Sequence, residues 1–129
     1  MTKQSASALI DDLVGIAAHL DAELDEALAE HRLSRASFLV LRTLADAEDG
    51  SLTQRDLVAT VRRTSGTMSV RLGRLERFGV IARERHAEDR RSVTVSITDR
   101  GRRLVEAASP AYEERAERLV AALGDGGEG

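Results

Sequence analysis

The residues best equipped for chemistry in this chain are its cations. Arginine outnumbers lysine eighteen to one, and a guanidinium is a planar, permanently charged fork that matches a phosphate bidentately. GC-rich codon usage gives the same bias, so placement matters more than number. Residues 31–103 hold sixteen arginines against nine acids, a net charge of +7. Residues 1–30 carry −6 and residues 104–129 carry −4, which brings the whole chain to −3. A basic middle between acidic ends can face a polyanion while its ends stay away from it. Within that middle, Arg62, Arg63, Arg71 and Arg74 surround a small, polar run of Thr64, Ser65, Gly66, Thr67, Ser69 and Val70, and Arg90 and Arg91 follow Asp89.

Other chemistries lack their residues. Cysteine is absent, which removes disulfides, thiolate metal sites and thiol redox sensing. His19, His31 and His86 do not have metal-ligand spacing, and no nucleophile–base pair or phosphate loop occurs. The chain reads as a non-enzyme with no cofactor and no metal. It has no run of 18 apolar residues and no charged segment leading into an apolar one, so neither a membrane span nor a signal peptide is expected. The expected location is the cytoplasm.

The elements that must position the arginines follow from periodicity. Over Ser5–Glu30, Leu9, Leu13, Ile16, Leu20, Leu24 and Leu28 recur every three or four residues, as in a long amphipathic helix. That stripe is longer than a small core needs, so half of it is expected to pack on a partner chain. A second helix is expected from Arg35 to Ala47, capped by Ser34, with Phe38, Leu41 and Leu44 inward. Thr53 and Asp56 form a variant capping box, with Leu52 and Leu57 at the staple positions, opening a short helix over Gln54–Thr60. A fourth helix opens at Thr64 and runs to about Phe78, where Gly79 supplies a left-handed stop. Met68, Leu72 and Leu75 mark its buried stripe. Two short helices in this order read as a helix-turn-helix.

The period then changes. Val80–His86 and Ser92–Thr98 read as two strands, with Ala87–Arg91 as their turn. A hairpin placed there is a wing. A last helix starts at Thr98, and Pro110 is expected to kink or interrupt it. The fold expected is mainly α with a small β wing. It is one domain over 1–123, with a winged helix-turn-helix at about 34–98, dimerisation helices at about 5–30 and 98–123, and a disordered Gly-rich tail at 124–129.

This order resembles the bacterial MarR family of transcriptional regulators over about residues 9–123. The resemblance is carried by Leu33–Leu44, Leu52–Leu57 and Ser65–Val80. Ala87-Glu88-Asp89-Arg90-Arg91, followed by Val93–Gly101 with its Ile-Thr-Asp-Arg-Gly, completes it. Arg63–Met68 is most similar to the branch that answers small organic acids such as urate, although the sensing tryptophan of that branch is absent. The missing cysteine excludes the family's thiol-based peroxide sensors. The family's further C-terminal helix would begin where Gly124–Gly129 stand, which leaves the dimer to the first and last helices.

The resemblance implies a homodimer on double-stranded DNA, with the helix opened by Thr64 in the major groove and the wing in the minor groove. Ser65, Gly66, Thr67, Ser69 and Val70 would approach base edges, since hydroxyls read either donor or acceptor groups and Val70 suits a thymine methyl. The alternative for Ser65 and Thr67 is simple capping. Arg62, Arg63, Arg71 and Arg74 would hold phosphate or guanine, or else pair with an acid such as Glu76. Arg91, the second residue after Asp89, would enter the minor groove, with Arg90 as the alternative tip residue and Asp89 orienting an arginine; a solvated hairpin turn is the other reading of all three. Two-fold symmetry implies a pseudo-palindromic operator, and repression of a nearby gene is the family habit. A small organic effector would sit in a pocket lined by His19, His31, Phe38, Arg42 and Tyr112, though both histidines also fit exposed or core positions. The competing function is a winged-helix module for protein interaction or dimerisation without specific DNA binding.

Overall fold

Ser5 opens the first helix. Its backbone is extended, and its Oγ accepts from the Ala8 N–H at 3.2 Å, which satisfies a donor that the helix cannot. The computed structural model describes residues 5–61, 65–86, 88 and 92–128. Helix α1 (Ala6–Leu28) passes into one 3₁₀ turn, Ala29–His31, so α-helical backbone stops short of Glu30. Arg32 adopts the left-handed region at φ 57° and turns the chain toward α2 (Arg35–Asp46). Then come β1 (Ser51–Thr53), α3 (Gln54–Val61), α4 (Ser65–Arg77), β2 (Ile81–Arg85), β3 (Val93–Ile97) and α5 (Asp99–Glu128).

The chain packs as two units, residues 1–35 with 110–129, and residues 36–109. In the first, Leu24, Leu28, Leu33 and Tyr112 are buried. Arg35 gathers the polar contacts. Its backbone N–H donates to Asp25 Oδ1 (2.5 Å), its Nη1 to Asp21 Oδ1 (3.2 Å) and its Nε to the Tyr112 hydroxyl (3.3 Å). Burial alone would lower the pKa of this guanidinium, but Tyr112 and Asp21 outweigh burial and hold it above its ordinary value. Further along α5, Arg115 Nη1 donates to the Glu23 carbonyl (3.0 Å) and to Glu23 Oε1 (3.2 Å).

In the second unit, Phe38, Val40, Leu41, Leu44, Leu57, Met68, Leu72 and Val95 are fully buried. They form the core that seats the two short helices. The strands make one antiparallel sheet in the order β1-β3-β2. Its outer strand β1 goes beyond the expected two-strand hairpin, pairing Ser51, Leu52 and Thr53 with Ser96, Val95 and Thr94. Three residues are too few to display an alternation.

Helix α5 departs from expectation twice. It is continuous through Pro110, so the proline does not interrupt it. The proline lacks only the N–H that would reach the Glu106 carbonyl, and Glu106 is exposed, so water can satisfy that carbonyl. Helical backbone also continues to Glu128, through most of the glycine-rich segment read as a disordered tail. Each glycine there costs about 1 kcal/mol relative to alanine, so this end owes its helical form to propagation from the long helix before it.

Candidate nucleic-acid interface

The helix-turn-helix is set by side-chain caps. Thr53 Oγ1 accepts from the Asp56 N–H at 3.1 Å, which fixes the start of α3. At the far end of α4, Gly79 is left-handed at φ 76°. The Gly79 N–H donates to the Glu76 carbonyl and the Val80 N–H to the Leu75 carbonyl, a Schellman pair that stops the helix where the sequence places its glycine. Thr98 joins this end to α5, since its Oγ1 donates to the Gly79 carbonyl (2.7 Å) and accepts from the Gly101 N–H (3.1 Å). A Cβ on Gly101 would lie 2.2 Å from the Val80 oxygen, so only glycine fits there.

Helix α4 has a buried side and an open side. Met68, Leu72 and Leu75 are buried, while Thr67, Ser69, Val70 and Arg74 are exposed, Val70 to 61%. Small and polar side chains there leave the helix backbone accessible to a ligand. Ser65 and Gly66 form its first turn. Arg74 has no ion-pair partner among the described residues and is not held in the core. Arg71 is half-buried, and its Nη1 donates to Ser37 Oγ of α2 at 3.1 Å. Glu76 pairs with none of the α4 arginines. It accepts from Arg83 of β2 through Nε (3.3 Å) and Nη2 (3.1 Å), which ties the wing strand to α4.

The wing strands pair from Ile81↔Ile97 to Arg85↔Val93. Beyond them the His86 N–H donates to the Ser92 carbonyl (3.2 Å), and the His86 ring nitrogen Nε2 lies 2.6 Å from Thr94 Oγ1. Arg62, Arg63, Thr64, Asp89, Arg90 and Arg91 lie outside the described residues.

The five residues suggested for an effector pocket divide between the units. Phe38 and Arg42 meet in one, with the guanidinium 5.4 Å from the ring centroid, a cation–π contact. In the other unit, Tyr112 is bonded to Arg35, His31 is half-buried in the 3₁₀ turn, and His19 is exposed. His19 borders a shallow groove of about 600 Å³ that Ile16, Leu20, Leu119 and Leu123 also line. Sequence reasoning missed Ser37, Arg83 and Arg35. Their partners Arg71, Glu76 and Tyr112 lie on other elements, and no spacing rule connects them. No helix among the described residues is long and apolar enough to cross a membrane.

Comparison with known proteins places this geometry. The family model of SarA/Rot transcriptional regulators matches residues 24–108. The HTH-type transcriptional repressor YetL of Bacillus subtilis is 26% identical over 125 residues, covering 88% of this chain and 75% of its own. AbsC of Streptomyces coelicolor, a MarR family transcriptional regulator, superposes with a TM-score of 0.81 at 18% identity, over 95% of this chain and 84% of its own. MepR of S. aureus, solved as a DNA complex, superposes with a TM-score of 0.78 at 28% identity, over 93% and 85%.

Proposed function

Since this chain belongs to the SarA/Rot transcriptional regulators and is built as a MarR-family winged helix, we propose that it binds double-stranded DNA sequence-specifically as a homodimer, with α4 in the major groove and the β2–β3 wing in the minor groove. The observation that carries this reading is the open face of α4, where Thr67, Ser69, Val70 and Arg74 are exposed opposite the buried Met68, Leu72 and Leu75. Hydroxyls, a methyl-bearing side chain and a guanidinium are the groups that read base edges and hold phosphate. MepR, solved as a DNA complex, supports binding to DNA. Repression of a nearby gene extends the reading, supported by the repressor YetL.

One domain over 1–123 serves both tasks in this reading, with winged helix at about 34–98 and dimerisation helices at about 5–30 and 98–123. Leu9, Ile10, Leu13, Val14 and Ile16 on α1, and Val120 and Leu123 on α5, are between 45% and 67% exposed. A second copy would remove them from water. In the same reading Arg62 and Arg63 contact phosphate or guanine before α4, Arg91, or Arg90 in its place, enters the minor groove, and Asp89 orients that arginine. Release by a small organic ligand completes the cycle.

Selection of bound sequences from a random duplex library tests the reading. An inverted repeat is the expected product, with half-sites about one helical turn apart. Enrichment of no sequence, with feeble binding even at low salt, would leave the protein-interaction module as the function.

A further inference from the structure

Gly73 stands in the interior of α4, between Ser65 and Arg77. Glycine is among the poorest residues for a helix interior, so a reason for it is needed. The backbone does not supply one, because the left-handed glycines of the described residues are Gly50 and Gly79. Packing does not supply one either. A Cβ at Gly73 would meet only Arg83 Nη2, at 3.9 Å, an ordinary contact with the end of a flexible side chain.

The surroundings point outward. Gly73 is half-exposed, and its neighbours one turn away on either side, Ser69, Val70, Glu76 and Arg77, are all exposed. Beside the bare backbone lies the Arg83 guanidinium, held through Nε and Nη2 on Glu76 Oε1. Its Nη1 has no hydrogen-bond partner among the described residues. Arg77 adds a second cation one turn on. A side-chain-free stretch of helix beside an oriented guanidinium is a fit for an anionic group on a bulky chain, because the missing Cβ lets that chain come close.

We infer that Gly73 and Arg83 together hold a backbone phosphate of the bound DNA strand against α4, with Glu76 as the positioning residue that sets the guanidinium. This rests on the DNA-binding reading. Such a contact is blind to base sequence, so it sets the depth of α4 in the groove.

The test uses the full chain, its selected duplex and an unrelated duplex of equal length. Gly73→Ala should raise Tm by roughly 2–5 °C, as alanine replaces glycine in a helix. It should also weaken binding to both duplexes by about tenfold and make the salt dependence shallower by about one phosphate contact. Arg83→Gln should produce the same loss, and the double variant should be no weaker than the worse single one. Unchanged affinity for Gly73→Ala, or a fall in its Tm, overturns the inference while the DNA-binding reading stands. Failure of the unmodified protein to enrich any duplex removes both.

Discussion

Helices α1 and α4 each leave one face uncovered, and the two faces are chemically opposite. On the first half of α1, Leu9, Ile10, Leu13, Val14 and Ile16 are 45–63% exposed, whereas the second half buries Leu24 and Leu28. On α4 the uncovered residues include Thr67, Ser69 and Arg74 beside Val70. An apolar face is stabilised by leaving water, at about 25 cal/mol per Å², and does so best against a similar face. A hydroxyl and guanidinium face gains little from apolar cover and much from a polyanion. On the proposed function, the chemistry of each uncovered face fits a different partner, a second copy for α1 and DNA for α4.

The strongest way to break that comparison is to charge the α1 face. Leu13→Glu with Ile16→Glu should cost roughly 4–8 kcal/mol of association, the loss of two buried apolar side chains plus the burial of charge. Sedimentation should show monomers at micromolar concentration. Binding to an inverted repeat should fall more than about a hundredfold, because the two half-sites are no longer joined. A dimer that survives both glutamates would show that the stripe serves something else.

The two sides of α4 sharpen the same contrast within one helix. Leu72→Ala on the buried side should cost about 2–5 kcal/mol in urea unfolding. Val70→Ala on the open side should change stability by less than about 0.5 kcal/mol and should instead alter the selected operator. A large stability loss at Val70 would mean that this face is already covered within the protein.

How far the sequence foretold these faces depends on the range of the forces involved. The start of α3 and the stop of α4 were legible because caps are local: Thr53 reaches Asp56, and Gly79 sits where left-handed backbone is required. The buried stripe Met68, Leu72, Leu75 was legible from its period. What escaped was long-range. β1 exists because β3 offers it a ladder, Arg71 is turned toward Ser37 on another helix, and Glu76 belongs to Arg83. Pro110 does not interrupt α5, because a long helix stands on either side of it. For the candidate site, the period of α4 implied which residues face outward, but not which neighbours orient them.

The wing offers a smaller test of the cationic side. Arg91→Ala should weaken operator binding by about tenfold and lower the salt slope by about one, with the loss concentrated on A·T-rich flanks. The equivalent removal of Lys3, in the acidic first segment, should leave both unchanged. Equal losses would mean that net charge, and not its placement, governs binding.

The smallest effects separate the two regions by how they tolerate a lost cap. Ser5 and Thr53 do the same chemistry, each oxygen accepting from the N–H three residues on, at 3.2 and 3.1 Å. Alanine at an N-cap costs about 0.5–2 kcal/mol where the helix end cannot move. At Thr53 it cannot, since the same residue is paired with Thr94 in the sheet and α3 begins directly after it. At Ser5 the whole first turn is open, with Ser5, Ala6 and Ser7 all exposed, so the end can fray while the rest of α1 stays helical. Thr53→Ala should therefore lower unfolding stability by about 1 kcal/mol, and Ser5→Ala by less than about 0.5 kcal/mol. Both are read as shifts in the urea midpoint at constant slope. A Ser5→Ala loss as large as that of Thr53→Ala would mean that the first turn of α1 is clamped from outside the chain, as it would be if the second copy covers α1 from its very start.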